Sequence, residues 1–531
     1  MKRAAAELEA DLVIAGGGLG GCAAALAAGR RGLHVVMTEE TDWIGGQLTS
    51  QAVPLDENPW IERGGGTRSY HELRRRIREY YARNFPLTPE ARANPTLNPG
   101  NGSVSRLCHE PRVGLAALHE MLAPLVASGR VAILDGCRPL DAITVGDRVE
   151  ALRVSDSAGA TRAVRAPFFV DATDLGDLLP LTGTEYVTGA EARAVTWEPH
   201  AKGEAQPGNQ QSFTCCFAVD YLEGEDHVIE RPRDYAFWRD HVPALTPPWP
   251  GRLLDLTYTQ PRTGQPFSMG FDPSKAAGLF RYRRIVDRSN FEPGTYAGDV
   301  TLVNWPQNDY MLGNLVDVPA AEAAAHLERG RQLSLSLLYW LQTECPRPDG
   351  GAGWKGLRLR PDIVGTRDGL AKQPYVRESR RILAEFTVLE QHVAAAQAPP
   401  GAGTGGSLPP ARFADSVGIG SYAIDLHPTS GGDNYFDVEA RPFEIPLGAL
   451  LPRRVENLLP ACKNVGTTHI TNGCFRLHPV EWNIGEAAGA LVAFCAARGV
   501  RPRAVRATPG LLADFQRELA AEGVPLSWRT A

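Results

Sequence analysis

The chain has 531 residues, 43% hydrophobic and 22% charged, the profile of a globular protein with core enough for more than one domain. Its formal charge of -6 excludes the basic footprint of a nucleic-acid binder. Nine cysteines without a CxxC pair, and no apolar run near the ~20 residues of a membrane span, point to reduced thiols in a cytoplasmic protein that does not enter membranes.

In chain order, residues 12–15 read as a strand, "GGGLGGCAAALAAGRRG" as a glycine turn running into a small-residue helix, and 33–40 as a second strand. A basic helix ("SYHELRRRIREYYARN", a solvated face), a Pro/Asn/Gly-rich loop, the helix "VGLAALHEMLAPLVASG" and the strand "VAILDG" follow. Residues 138–170 alternate turns with β-prone runs, an antiparallel meander leading into one more strand before "DATDLGD". Beyond residue 188 the helix–strand alternation stops. Two helices are expected there, at 320–344 and 377–396, and "FTCCFAV" reads as a buried strand. The stretch 398–412 is a low-complexity loop. "VENLLPACKN" reads as a core strand, and "RLHPVEWNIGEAAGALVAF" as a polar prelude to an apolar helix. The division is 1–187, 188–412 and 413–531: a nucleotide-binding domain in two parts around a substrate or cap domain, α/β in class.

Gly16, Gly18 and Gly21 form G-x-G-x-x-G directly after a strand and at the start of a helix. In that setting the glycines permit a tight turn, close approach of backbone to a pyrophosphate, and close helix–strand packing, while the helix N-terminus offers free N–H groups to phosphate. Glu39, with Glu40 beside it, ends the second strand 18 residues beyond Gly21, where a carboxylate accepts from both hydroxyls of a ribose. A carboxylate there argues against a 2′-phosphate. FAD and NAD share this fingerprint, but the inserted meander and the strand after it belong with an FAD domain. No second G-x-G-x-x-G follows a strand.

"DLVIAGGGLGGCAAALAAGRRGLHVVMTEETDWIGGQLT", "SRLCHEP", "NWPQNDY", "PYVRESRRI" and "RLHPVEWNIGEAAGAL" resemble one family of FAD-dependent oxidoreductases of the glutathione-reductase-like superfamily, some members of which carry an old "xanthan lyase" label. The resemblance implies a Rossmann-like FAD-binding domain. Gly16, Gly18, Leu19 and Gly21 would hold the pyrophosphate, and Glu39 the ribose. Gly45, Gly46, Gln47 and Leu48 would run beside the ribityl chain and ring. Cys137 would meet adenine through its backbone, Ala172, Thr173 and Asp177 would close over the cofactor, and Asn483, Ile484 and Gly485 would present a helix end to the flavin. Asn483 with Glu486 resembles a capping box, and Gly485, Ala488 and Gly489 keep the first turns bare for the ring. The paired redox cysteines of disulfide reductases are missing from "GGQLTSQ", so disulfide reduction does not carry over.

For proton transfer near the ring the candidates are His478, ranked first, then His427 in "IDLHPTSGG", with His109 lower; Arg377 is a candidate substrate-binding cation. Arg377, Arg380 and Arg381 also lie at helical spacing, which reads as a solvated face. No metal motif is visible. The expectation is hydride transfer between flavin and a small polar organic substrate. The alternatives are a lyase or isomerase using FAD as a scaffold, and an NAD-dependent dehydrogenase. The sequence is compatible with a homo-oligomer.

Overall fold

The structure is a computed structural model that describes residues 7–275, 277–397 and 408–528; most of the loop expected at 398–412 lies outside them. Five parallel strands form the central sheet, in the order Leu458–Pro460, Phe168–Asp171, Leu12–Ala15, Val35–Glu39 and Val131–Asp135. Leu12 through Ala15 are all buried, which is why the middle strand is an unbroken apolar run rather than an alternating one. The meander follows as Arg138–Val145, Arg148–Ser155 and Thr161–Arg165, extended at one edge by Glu7–Glu9.

Between the fourth and fifth of these parallel strands in sequence lies a second body with its own core. Its antiparallel sheet runs Arg284–Val286, Val300–Val303, Phe217–Tyr221 and Leu357–Leu359, and its long helix is Ala320–Thr343, close to the expected bounds. Trp238, Trp305, Tyr310, Leu333 and Leu337 fill that core. The strand expected at "FTCCFAV" is two pieces, Phe213–Thr214 and Phe217–Tyr221, with Cys215 and Cys216 buried between them.

Three expectations give way to tertiary structure. No helix spans 377–396: most of the segment is extended, Arg381–Ile382 pairs with Tyr186–Val187, and only the short turns Glu390–Val393 and Ala395–Gln397 are helical. Arg377 and Arg381 are 1% and 0% exposed, drawn to Asp309 and Glu191, carboxylates far away in sequence, and such pairs outweigh helical spacing. The basic helix forms as Arg68–Asn84, but Arg74 is buried and joins Glu57 (2.8 Å) and Glu62 (2.7 Å). Finally, the helix expected in "RLHPVEWNIGEAAGALVAF" spans His478–Arg498, with Pro in its first turn. Asn483 is therefore interior, not a cap. Its Oδ1 accepts from the Ile419 N–H (3.1 Å) and its Nδ2 donates to the Val417 carbonyl (3.1 Å), while Glu486 accepts from the Ser69 hydroxyl (2.7 Å).

The small residues of that helix serve packing. A Cβ on Gly485 would overlap the Gly20 carbonyl oxygen, and one on Gly489 the Ala24 carbonyl. The helix lies backbone to backbone on Leu19–Arg30, the helix that opens at the glycine motif.

Candidate active site

The three motif glycines have three separate reasons. Gly16 has φ +95°, and a Cβ there would overlap the Ala172 carbonyl. Gly18 caps the helix with no side chain of its own to bond the first-turn N–H groups, of which that of Gly20 goes to Glu481, and a Cβ would approach Ala172 O at 3.3 Å. A Cβ on Gly21 would overlap the Gly16 carbonyl, the close helix–strand contact expected of the third position. Leu19 is the first residue of the helix.

Glu39 ends its strand, buried, with Oε2 accepting from the Gly17 N–H (3.2 Å) and Oε1 from the Thr41 N–H (2.8 Å) and hydroxyl (2.7 Å). Burial pushes its carboxyl up to about 7 against the pull of those Thr41 bonds. Glu40 accepts from Gln373 Nε2 at 3.2 Å. The Cys137 N–H donates to the Glu39 carbonyl (2.8 Å), so it is not free for a ligand. Gly16, Gly18, Glu39, Glu40, Cys137, Ala172, Thr173 and Asp177 all line one cleft of about 780 Å³, closed from the second body by Leu315, Ala323, Leu327 and the segment 372–376.

Gly45 (φ +110°) donates its N–H to the Gly17 carbonyl at 2.7 Å, and Gly46–Leu48 form a tight turn, so this loop lies against the glycine motif. Gln47 Nε2 donates to the Arg476 carbonyl (3.2 Å) and to Glu481 Oε2 (2.5 Å), and Glu481 Oε1 accepts from the Gly20 N–H (3.1 Å). Leu48 packs beside Gly114. Asn483, Ile484 and Gly485 are interior to their helix and engaged in packing, so the helix end expected there begins at His478 instead.

Four polar motifs outside the glycine region, "NWPQNDY", "PYVRESRRI", "IDLHPTSGG" and "RLHPVEW", converge on one buried chain of charge, and "SRLCHEP" stays outside it. Asp309, in "NWPQNDY", bridges Arg377 Nη2 (2.9 Å) and His427 Nδ1 (2.6 Å), and also accepts from the Thr214 hydroxyl (2.6 Å) and the Tyr435 hydroxyl (3.3 Å). On the far side of the ring, His427 Nε2 lies 3.7 Å from Asp425, which pairs with Arg476 at 3.1 Å. Burial opposes ionisation of Asp309, but Arg377 and His427 hold its carboxyl down at about 2. Burial, then the neighbouring Arg377, lowers His427, so its ring is neutral near pH 7. Arg377 and His427 are thus brought together, by an aspartate that sequence reasoning noted only as part of a motif.

His478 is elsewhere. It is fully buried, its Nδ1 accepts the Asp56 N–H (3.1 Å), and burial followed by Arg283 brings its pKa down to about 3. His109 is likewise buried, against its neighbour's carbonyl (2.8 Å), at about 4. Among the described residues no cluster of His, Cys, Asp and Glu could hold a metal, and no helix is long and apolar enough to cross a membrane.

Several buried polar atoms have no partner: Gln47 Oε1, Ser212 Oγ, Asn304 Nδ2, Arg377 Nε, Asn472 Oδ1 and Arg476 Nε. Buried orphans are costly, and these form two bonded groups, one around Arg377 and one joining Gln47 to Arg476. They comprise donors and acceptors together, which is what a flavin's pyrimidine edge would satisfy.

Sheet, glycine turn, strand-end acid and cleft define a dinucleotide-binding flavoprotein fold. The chain belongs to the FAD dependent oxidoreductase family, whose model matches residues 11–519. Looser likenesses are to L-proline dehydrogenase from P. horikoshii (14% identity, 36% of this chain, 25% of that one, TM-score 0.19). Others are OxyS anhydrotetracycline hydroxylase from Streptomyces rimosus (11%, 97% and 66%, TM-score 0.36) and a geranylgeranyl bacteriochlorophyll reductase-like protein from Thermoplasma acidophilum (10%, 98% and 85%, TM-score 0.32). The match spans less than two thirds of the length of the first two. A search of curated proteins gave no match.

Proposed function

We propose that the protein transfers hydride between FAD and a small polar organic molecule, with His427 as the group that takes or returns the proton. The cleft lined by Gly16, Gly18, Glu39 and Thr173 would hold the ADP half of the cofactor, with the Gly45–Gly46 turn leading toward the orphaned polar atoms. Bound there, FAD supplies the hydride acceptor or donor.

The observation that carries the assignment is the Asp309 bridge. An ionised Asp309 accepts the Nδ1–H of His427 at 2.6 Å, which fixes the tautomer and leaves Nε2 as the free base. Arg377, 2.9 Å from the same carboxylate, keeps it charged. His478 has a ring of the same chemistry, but its Nδ1 is held by backbone and its proton affinity is far too low for neutral-pH exchange. The weight therefore moves from His478 to His427.

The test is anaerobic bleaching of the bound flavin by a panel of alcohols, amines and hydroxy acids. His427→Asn should keep flavin absorbance and slow substrate bleaching by at least about 100-fold. Unchanged bleaching in that variant removes His427 from the reaction.

A further inference from the structure

A second cavity, of about 160 Å³, lies apart from the cleft that takes the nucleotide. It opens between the start of the helix His469–Phe475 and the loop around Asp433, with Tyr435, Phe436, Leu426 and Ile470 in its walls. That is well above the ~10–15 Å³ a single water needs. The cations near it are already matched. His469 holds Glu378 at 2.9 Å, Arg381 is paired with both Glu378 and Glu191, and Lys202 is paired with Asp433.

Glu198 is different. It is 1% exposed and lines the cavity. Its Oε1 accepts from the Glu390 N–H (2.8 Å) and the Thr468 hydroxyl (2.7 Å), but Oε2 has no hydrogen-bond partner. A buried carboxylate oxygen left open costs free energy unless a donor arrives. Glu191 and Asp433 are offset by Arg381 and Lys202, so the charge left open to a guest is that of Glu198, which repels an anion and attracts a cation, as do the aromatic walls of Tyr435 and Phe436.

We propose that this cavity binds a small organic ammonium compound, its nitrogen donating to Glu198 Oε2 and its apolar body against Leu426, Phe436 and Ile470. Tyr435 ties the cavity to the charged network, since its hydroxyl donates to Asp309 at 3.3 Å. A guest seated there lies one side chain away from the Asp309–His427 pair. The binding itself does not rest on the role given to His427.

Calorimetric titration of the FAD-loaded protein at pH 8 tests this, with n-pentylamine and benzylamine as probes and 1-pentanol and pentanoate as matched controls. At least one amine should bind saturably, at least about tenfold tighter than the alcohol and the acid. Glu198→Gln should weaken the amine by about tenfold or more while flavin absorbance is unchanged. Should Glu198→Gln fail to fold, Phe436→Ala, at a partly exposed wall position, should still weaken amine binding. Absence of saturable binding by both amines, equal binding of pentanol, or amine affinity untouched in the folded variants would overturn the proposal. His427→Asn, expected to bind amine normally, separates failure of this site from failure of the proton-transfer assignment.

Discussion

Arg377 and Asp309 are 1% and 0% exposed, and their ion pair sits where neither charge has water to fall back on. Breaking such a pair from one side costs about 3–5 kcal/mol, because the survivor is left buried and unpaired. Arg377→Ala should therefore be strongly destabilising, visible as a lower urea midpoint; Asp309→Asn, which leaves Arg377 without its counter-charge, should lower the midpoint too, while it keeps a hydrogen-bonding group beside His427 and removes the charge that fixes its tautomer. That variant is expected to keep flavin and lose at least about 100-fold in turnover. A wild-type rate in Asp309→Asn would show that the bridge is structural only.

His478 bears on pH rather than on turnover. Its pKa, lowered to about 3 by burial, stands below its ordinary 6.5. The sign follows directly: the unfolded chain takes up a proton below about 6.5 and the folded chain does not, so stability falls as pH drops from about 6.5 toward 3. At pH 5 this single ring lowers stability by about 2 kcal/mol relative to a neutral stand-in. His478→Asn, whose Oδ1 can accept the Asp56 N–H, should lose less stability than wild type between pH 7 and pH 5. Equal losses in urea titrations at the two pH values would mean that the ring is not held neutral.

At the scale of elements, the contact between Leu19–Arg30 and His478–Arg498 explains what a helix of glycine and alanine is for. The sequence showed that the helix needed something close; it could not show that the something was another helix backbone rather than the flavin, because a bare face looks the same whichever neighbour it admits. Gly485→Ala places a methyl on the Gly20 carbonyl, and neither backbone can step aside. A loss of about 1–3 kcal/mol is expected, with flavin release, since Gly20 lies in the first turn behind Gly18. Gly510, helical with open space at its Cβ, is the control: Gly510→Ala should be neutral or stabilising by up to about 1 kcal/mol. Retention of flavin and full stability in Gly485→Ala would refute the close contact. The extended 377–381 segment was illegible for a related reason. Three arginines at helical spacing carry no trace of Asp309 and Glu191, which are remote in sequence and decide the backbone path.

On the scale of the whole molecule, the geometry of the glycine-motif half of the candidate site was legible because its physics is local: strand, glycine turn, helix and acid follow one another within one βαβ unit, so spacing alone fixes geometry. The other half is assembled from loops and from the long helix of the second body, and no local rule places 372–376 against Glu40 or Leu327 against the cleft mouth. The cleft thus lies at the ends of Leu12–Ala15 and Val35–Glu39, where ligands bind open parallel sheets, with the second body as its lid. A ligand gripped from both sides couples them: whatever binds only the folded, closed arrangement stabilises it by mass action. Hydrogen exchange should show this as a pattern rather than a general slowing. FAD added to stripped protein should protect peptides over 16–21, 39–41, 172–177 and 372–376, and leave the outer meander at 148–165 unchanged. Protection confined to the glycine turn would mean that the second body does not close on the cofactor, and protection centred on Glu198 and His469 would put FAD in the wrong cavity.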